Sequence, residues 1–88
     1  MSSFHGQTIT TTVNSLIKAI GQPIEENNTG EDKTNFEWEF KTNDFTAYIY
    51  DWKEYAPIGR NELIDFHIGT DTPMQSLIAK EELENLLS

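Results

Sequence analysis

From Phe36 to Lys41 apolar and charged side chains alternate without a break, Phe36-Glu37-Trp38-Glu39-Phe40-Lys41, as a strand with one dry face and one wet face must. Thr42-Asn43-Asp44-Phe45 supplies turn residues before the next run, Thr46 to Trp52. If position 42 faces 45, Phe40 meets Ala47, Trp38 meets Ile49 and Phe36 meets Asp51. Side chains alternate across a strand, which puts Phe36, Trp38, Phe40, Ala47 and Ile49 on one face. Glu37, Glu39, Tyr48, Tyr50 and Trp52 fall on the other. A slip of one residue would exchange the two sets. After a loop from Tyr55 to Asn61, Leu63 to Gly69 predicts a third strand. Its Ile64, Phe66 and Ile68 complete the dry face, while Asp65 and His67 join Tyr48, Tyr50 and Trp52.

The period changes on either side of this block. Ile9, Val13, Leu16, Ile17 and Ile20 recur at helical spacing until Gly21-Gln22-Pro23, which predicts a first helix over about residues 9–20. Its start, Thr8 with Thr10, Thr11 and Thr12, can cap a helix but forms one poorly. Glu25 to Asn35, with Asn27-Asn28 and Gly30, predicts a mobile acidic loop carrying Glu25, Glu26, Glu31 and Asp32. Thr72-Pro73-Met74-Gln75 is the sharpest local signal: a capping threonine, proline at the first helical position and glutamine three residues after the cap. It predicts a last helix over 73–87. The apolar set of that helix, Met74, Leu77, Ile78, Leu83, Leu86 and Leu87, drifts around the axis after Ala79, so a bend or a further contact is expected. Asp71 fits a turn or a share in the cap.

These elements predict an α+β fold in one domain spanning 1–88: a three-stranded antiparallel sheet with an amino-terminal and a carboxy-terminal helix packed on one face, in the order α-β-β-β-α. The second sheet face is left without obvious cover.

Eighty-eight residues without a cysteine make a thin core with no disulfide and no thiol chemistry. Five Phe, three Tyr and two Trp compensate in part, each burying roughly 150–250 Å², and association with itself as a homo-oligomer, or with a partner, is the other usual remedy. No apolar run reaches the roughly 18 residues of a membrane-spanning helix, and Met1-Ser2-Ser3-Phe4-His5-Gly6 lacks signal-peptide character, so a cytoplasmic location is expected. Fifteen carboxylates against six Lys or Arg give a formal charge of −9. That balance argues against direct binding of nucleic acid, since no basic stripe exists to displace counterions, and favours a basic protein surface as partner. It also serves solubility alone.

His67 with Asp65 and Glu37 or Glu39 is the one place where a histidine meets carboxylates across strands. A bonded structural histidine is the simpler reading, ahead of ligand contact or general acid–base work. No nucleophile elbow, zinc motif or close carboxylate trio accompanies it, so no catalytic residue, metal or cofactor is expected. His5 falls in an expected frayed tail. Tyr48, Tyr50 and Trp52 are of the kind that anchors protein interfaces, and Glu37 and Glu39 fringe them. Two readings of this face stand: an interaction surface, or an inner face covered by the amino-terminal segment with Phe4 dropping onto it.

Phe36-Glu37-Trp38-Glu39-Phe40, Ile49-Tyr50-Asp51-Trp52-Lys53 and Phe66-His67-Ile68-Gly69, following a helix end at Ile20 to Pro23, together resemble small acidic proteins encoded in bacteriophage genomes. The resemblance spans about residues 16–70 and carries no diagnostic active site. It departs at Phe66, where the pattern favours tryptophan. It implies a compact, non-enzymatic accessory protein in the host cytoplasm that occupies or disables a host factor, such as a nucleic-acid-binding protein or a defence nuclease. A small-ligand binder, with a nucleotide base stacked on Tyr48, Tyr50 or Trp52, and an oligomeric ligand sponge are the alternatives.

Overall fold

The computed structural model, which describes residues 2–31 and 33–88, pairs the central hairpin in the expected register, Trp38 facing Ile49 and Phe40 facing Ala47. Its elements are β1 (Ser3–Thr11), α1 (Val13–Ile20), β2 (Glu25–Glu26), β3 (Phe36–Lys41), β4 (Thr46–Tyr50), β5 (Ile64–Thr70) and α2 (Pro73–Leu87). The five strands form one antiparallel sheet in the order β1-β5-β4-β3-β2, flanked by the two helices. The α+β class holds; the three-stranded α-β-β-β-α arrangement does not.

The added strands come from segments read as helix and loop. Residues 9–12 do not begin the first helix: β1 runs through Thr11, and Thr12 caps a helix that starts only at Val13, accepting from the Ser15 N–H at 3.0 Å. Three threonines around Ile9 favour an extended backbone, where a branched side chain loses no rotamer freedom against a preceding turn. Ile9 still reaches the core, because its strand position faces the same way as Val13 and Leu16. His5 is likewise not in a frayed tail: it lies in β1, and its Nε2 donates to the Thr70 carbonyl at 3.0 Å.

The segment after α1 is also more ordered than a loop. Glu25 and Glu26 form β2 beside Glu37 and Phe36. Asn28 exchanges two hydrogen bonds with the backbone of Ile58, at 2.6 and 2.9 Å. Gly30 has φ +79°, and a Cβ there would sit 2.7 Å from the Ala56 Cα, so the close approach of these loops requires glycine. Asn35 closes the assembly. Its N–H and side-chain amide donate to the buried Asp51 carboxylate, and the same amide donates to the carbonyls of Glu54 and Ala56. Asp51 also accepts from the Phe36 N–H at 2.8 Å. That inward turn ends β4 at Tyr50, two residues before the expected end.

One cluster forms the core. Phe36, Trp38, Phe40, Ala47, Ile49, Ile64, Phe66 and Ile68 meet Val13 and Leu16 of α1 and Ala79 and Leu83 of α2. Trp38 is fully buried and its indole N–H donates to the Gly21 carbonyl at 2.9 Å. α2 begins as expected, with Thr72 accepting from the Gln75 N–H. The Gln75 side chain, however, accepts from the Asp71 N–H rather than from the capping residue. The inner face of α2 is Ser76, Ala79 and Leu83, leaving Met74, Leu77, Ile78 and Leu86 exposed. Small residues let the helix lie close on the sheet, and the Ser76 hydroxyl is satisfied locally by the Pro73 carbonyl.

Candidate interaction face

The sheet face turned away from this core is ordered into cross-strand rows by the pairing register. Thr8, His67, Tyr50, Glu37 and Glu25 occupy successive strands in one row. Phe4, Gly69, Tyr48 and Glu39 occupy the next. Asp65 sits opposite Thr10, whose hydroxyl donates to its carboxylate. Trp52 lies just beyond β4, next to Tyr50 and His67. The sequence-derived set Tyr48, Tyr50, Trp52, Glu37, Glu39, Asp65 and His67 therefore shares one face or its margin.

Phe4 bears on both readings of that face. The register of β1 shifts between Phe4 and Thr8, at Gly6 with φ +92°, and the resulting bulge re-aims the strand start. The Phe4 ring stacks on His67 with centroids 3.9 Å apart. It covers the histidine but remains 42 % exposed itself. The amino-terminal strand thus adds a ring to the surface while covering only part of it. Phe4, His67, Tyr50 and Trp52 form a continuous cluster, His67 lying 5.6 Å from Tyr50 and 6.1 Å from Trp52. Gly69 makes room for it: a Cβ there would stand 3.3 Å from the Tyr50 ring.

The electrostatics divide the face in two. Glu25 stands directly opposite Glu37, and like charges in facing positions repel. Burial, reinforced by Glu25, raises the Glu37 pKa above its ordinary value. Burial, reinforced by Glu37, also raises that of Tyr50. Glu39 bridges to Lys41 at 3.3 Å, and Glu26, off this pair, bridges to Arg60 at 2.9 Å. At the other end Lys33 and Lys53 place their ammonium groups 5.6 and 5.7 Å from the Trp52 ring centroid, within cation–π range. The Lys53 N–H donates to the Lys33 carbonyl at 2.7 Å, and Lys53 has φ +56°. A depression of about 370 Å³ runs between Thr34, Glu37, Tyr48, Tyr50 and Trp52.

The His67 pKa is lowered: burial disfavours the protonated ring and outweighs the opposing pull of Asp65. Phe4 and the two aromatic neighbours provide that burial, whereas Asp65 is exposed to water.

Glu31 is exposed and apart from the rows, and Asp32 lies outside the described residues, so the expected acidic loop contributes Glu25 to the face through β2. Sequence reasoning missed Lys33, Lys53 and Thr8 as part of this surroundings. Only Thr8 had any signal, the threonine-rich run from Thr8 to Thr12 that forms a helix poorly, and it does not by itself decide for a strand. Lys33 and Lys53 are brought together by the Asn35–Asp51 junction, which no spacing announces.

Among the described residues no group of three or more His, Cys, Asp or Glu is arranged to hold a metal ion, and no helix is long and apolar enough to cross a membrane. Comparison with protein-family models, with curated proteins and with solved structures finds no match to this chain.

Proposed function

We propose that this chain is a non-enzymatic binding protein that modulates or inhibits a macromolecular partner bearing exposed Lys or Arg, and that the face built on Tyr48, Tyr50, Trp52 and His67 is its contact surface. The observation that carries this reading is Glu25 opposite Glu37, beside Tyr50. The fold holds two carboxylates in mutual repulsion next to partly open aromatic rings. A lysine or arginine from a partner relieves that repulsion and gains ring contact in the same step. The net charge of −9 steers such a partner and matches proteins whose natural ligand is nucleic acid. With the bacteriophage resemblance, a host nucleic-acid-binding protein or defence nuclease in the cytoplasm is the partner class proposed.

Affinity capture from host lysate followed by binding measurements across salt concentration tests this reading. Stoichiometric recovery of a basic protein, bound more weakly at high salt, supports it. Recovery of no protein by a folded chain refutes it.

A second reading rests on Lys33 and Lys53 beside Trp52: a small anionic aromatic ligand, such as a nucleotide, held in the depression between Trp52 and Tyr48. Glu37 in the same depression opposes a phosphate, which is why this reading stands second.

A further inference from the structure

β1 is divided at Gly6 into halves that are held in different ways. The second half is tied to the core: Ile9 and Thr11 are buried, and Thr8, Ile9, Thr10 and Thr11 pair with β5 without interruption. In the first half none of Ser3, Phe4, His5 and Gly6 is buried. Ser3 and Phe4 meet Thr70 and Gly69 beyond the register shift, the His5 imidazole reaches the Thr70 carbonyl, and the Phe4 ring lies on His67. A segment with so few apolar contacts opens at a lower free energy than the buried strand it continues. Gly6, at φ +92° with open space where a Cβ would stand, supplies the hinge.

This half-strand lies on the proposed contact surface. Phe4 covers His67, the ring that joins Tyr50 to Trp52. Ser2, two positions before it, lines the recess formed with Glu37, Tyr48, Tyr50 and Trp52. The chain thus displays on its own face a segment that fits it: a ring over His67 and, two residues earlier, a side chain beside the carboxylate that Glu25 repels. We infer that Ser2–Gly6 is an autoinhibitory strap hinged at Gly6, displaced by a partner segment that carries an aromatic residue over His67 and a Lys or Arg in the place of Ser2, against Glu37. The partner's chemistry rests on the binding role proposed above, whereas the opening of the strap does not. Ser2 offers Glu37 no charge, so a segment with a cation there binds the face better than the strap does. Tethering gives the strap an effective concentration on the order of millimolar, which the incoming segment must overcome. When the strap leaves, the β5 edge at Gly69 and Thr70 receives the new segment as a strand.

Native-state hydrogen exchange on the full chain, with NMR titration by the peptide acetyl-Lys-Ser-Phe-His-Gly-amide, tests the inference. The Ser3–Gly6 amides should exchange roughly tenfold or more faster than those of Ile9 and Thr11, at rates indifferent to low urea, as an opening short of global unfolding requires. Ser2→Lys should slow that exchange, and Glu37→Gln added to it should cancel the effect. The peptide should shift the His67 and Gly69 resonances and bind Phe4→Ala roughly tenfold more tightly than the unaltered chain, since the tethered competitor is weakened. Replacing the peptide's phenylalanine with alanine should abolish binding. Strap amides that exchange in step with Ile9 and Thr11 overturn the hinge. Exchange unaltered by Ser2→Lys overturns the place of the cation at Glu37. Peptide binding that Phe4→Ala weakens, or no binding to either chain, overturns autoinhibition and makes Phe4 a fixed part of the surface. If Phe4→Ala loses its fold, Gly6→Ala, strained at φ +92°, releases the strap in its stead. An opening strap and a bound peptide, with no basic protein recovered from lysate, refute the proposed binding role and leave the strap standing.

Discussion

Phe4, the fourth residue of the chain, lies face to face with His67, the two rings 15° from parallel and 3.9 Å apart. A bulge at Gly6 and the pairing of β1 with β5 create this contact, and it shields the imidazole from water on one side. Shielding costs the protonated ring more than the neutral one, which accounts for the lowered pKa despite Asp65 nearby.

A pH dependence follows from the sign of that shift. The folded pKa lies below the ordinary value of 6.5, so the unfolded chain binds the extra proton first. The contribution of His67 is fully present above the unfolded pKa and is lost as pH falls through the folded one. Ring titration by NMR should give a midpoint below 6.5. Phe4→Ala should move it upward and reduce the acid-side loss of denaturation midpoint. An unmoved midpoint in that variant would assign the desolvation to Tyr50 and Trp52 instead.

Glu37 carries the opposite shift and a different consequence. Its pKa is raised above 4.5 by burial and by Glu25, so it becomes neutral at a higher pH than an ordinary glutamate. A basic partner should therefore bind less tightly as pH falls through this raised value, and binding just below it should release a proton. Calorimetry in buffers of different ionisation enthalpy reads the proton directly; Glu25→Gln should shrink the effect.

The aromatic and acidic parts of the face should separate kinetically. Tyr50→Ala with Trp52→Ala should mainly speed dissociation, because desolvated ring contact sets the lifetime of a complex. Glu37→Gln with Glu39→Gln should slow association and flatten its salt dependence. Surface plasmon resonance against the captured partner distinguishes the two, and unchanged kinetics in both folded variants would remove this face from the function.

Trp38 should be indispensable. It is fully buried among Phe36 and Phe66, and Trp38→Ala should cost about 3–5 kcal/mol, most of what a domain of this size has. Trp38→Phe keeps most of the volume but abandons the Gly21 carbonyl, and should cost less. Urea denaturation ranks the two.

Asp51 should prove nearly as costly. Its carboxylate accepts from the backbone N–H groups of Asn35 and Phe36 and from the Asn35 amide, all without access to water. Asp51→Ala strands those donors, a loss of about 1–3 kcal/mol for each one left unsatisfied. Asp51→Asn should also destabilise, since its NH₂ must face one of the same donors. Hydrogen exchange at Asn35 and Phe36 should accelerate in both.

The alternations Phe36 to Lys41 and Ile64 to Ile68, the turn at 42–45 and the capping threonine before Pro73 placed β3, β4, β5 and α2. The pairing of Trp38 with Ile49 followed only if position 42 faces 45, and the sheet decided it, since a slip of one residue keeps the same alternation. β1 and β2 were not legible in that way. Ile9 fits a helical stripe with Val13 and Leu16 as well as it fits a strand, and only a partner strand more than fifty residues away decides between them. Glu25 and Glu26 have no strand signal and are extended because Phe36 and Glu37 offer an edge. The candidate face divides along the same line. Its membership followed from the two-residue period of β3, β4 and β5. Phe4 over His67, Lys33 and Lys53 at Trp52, and the direction of the His67 shift depend on which distant segments share a volume, and tertiary packing alone sets that.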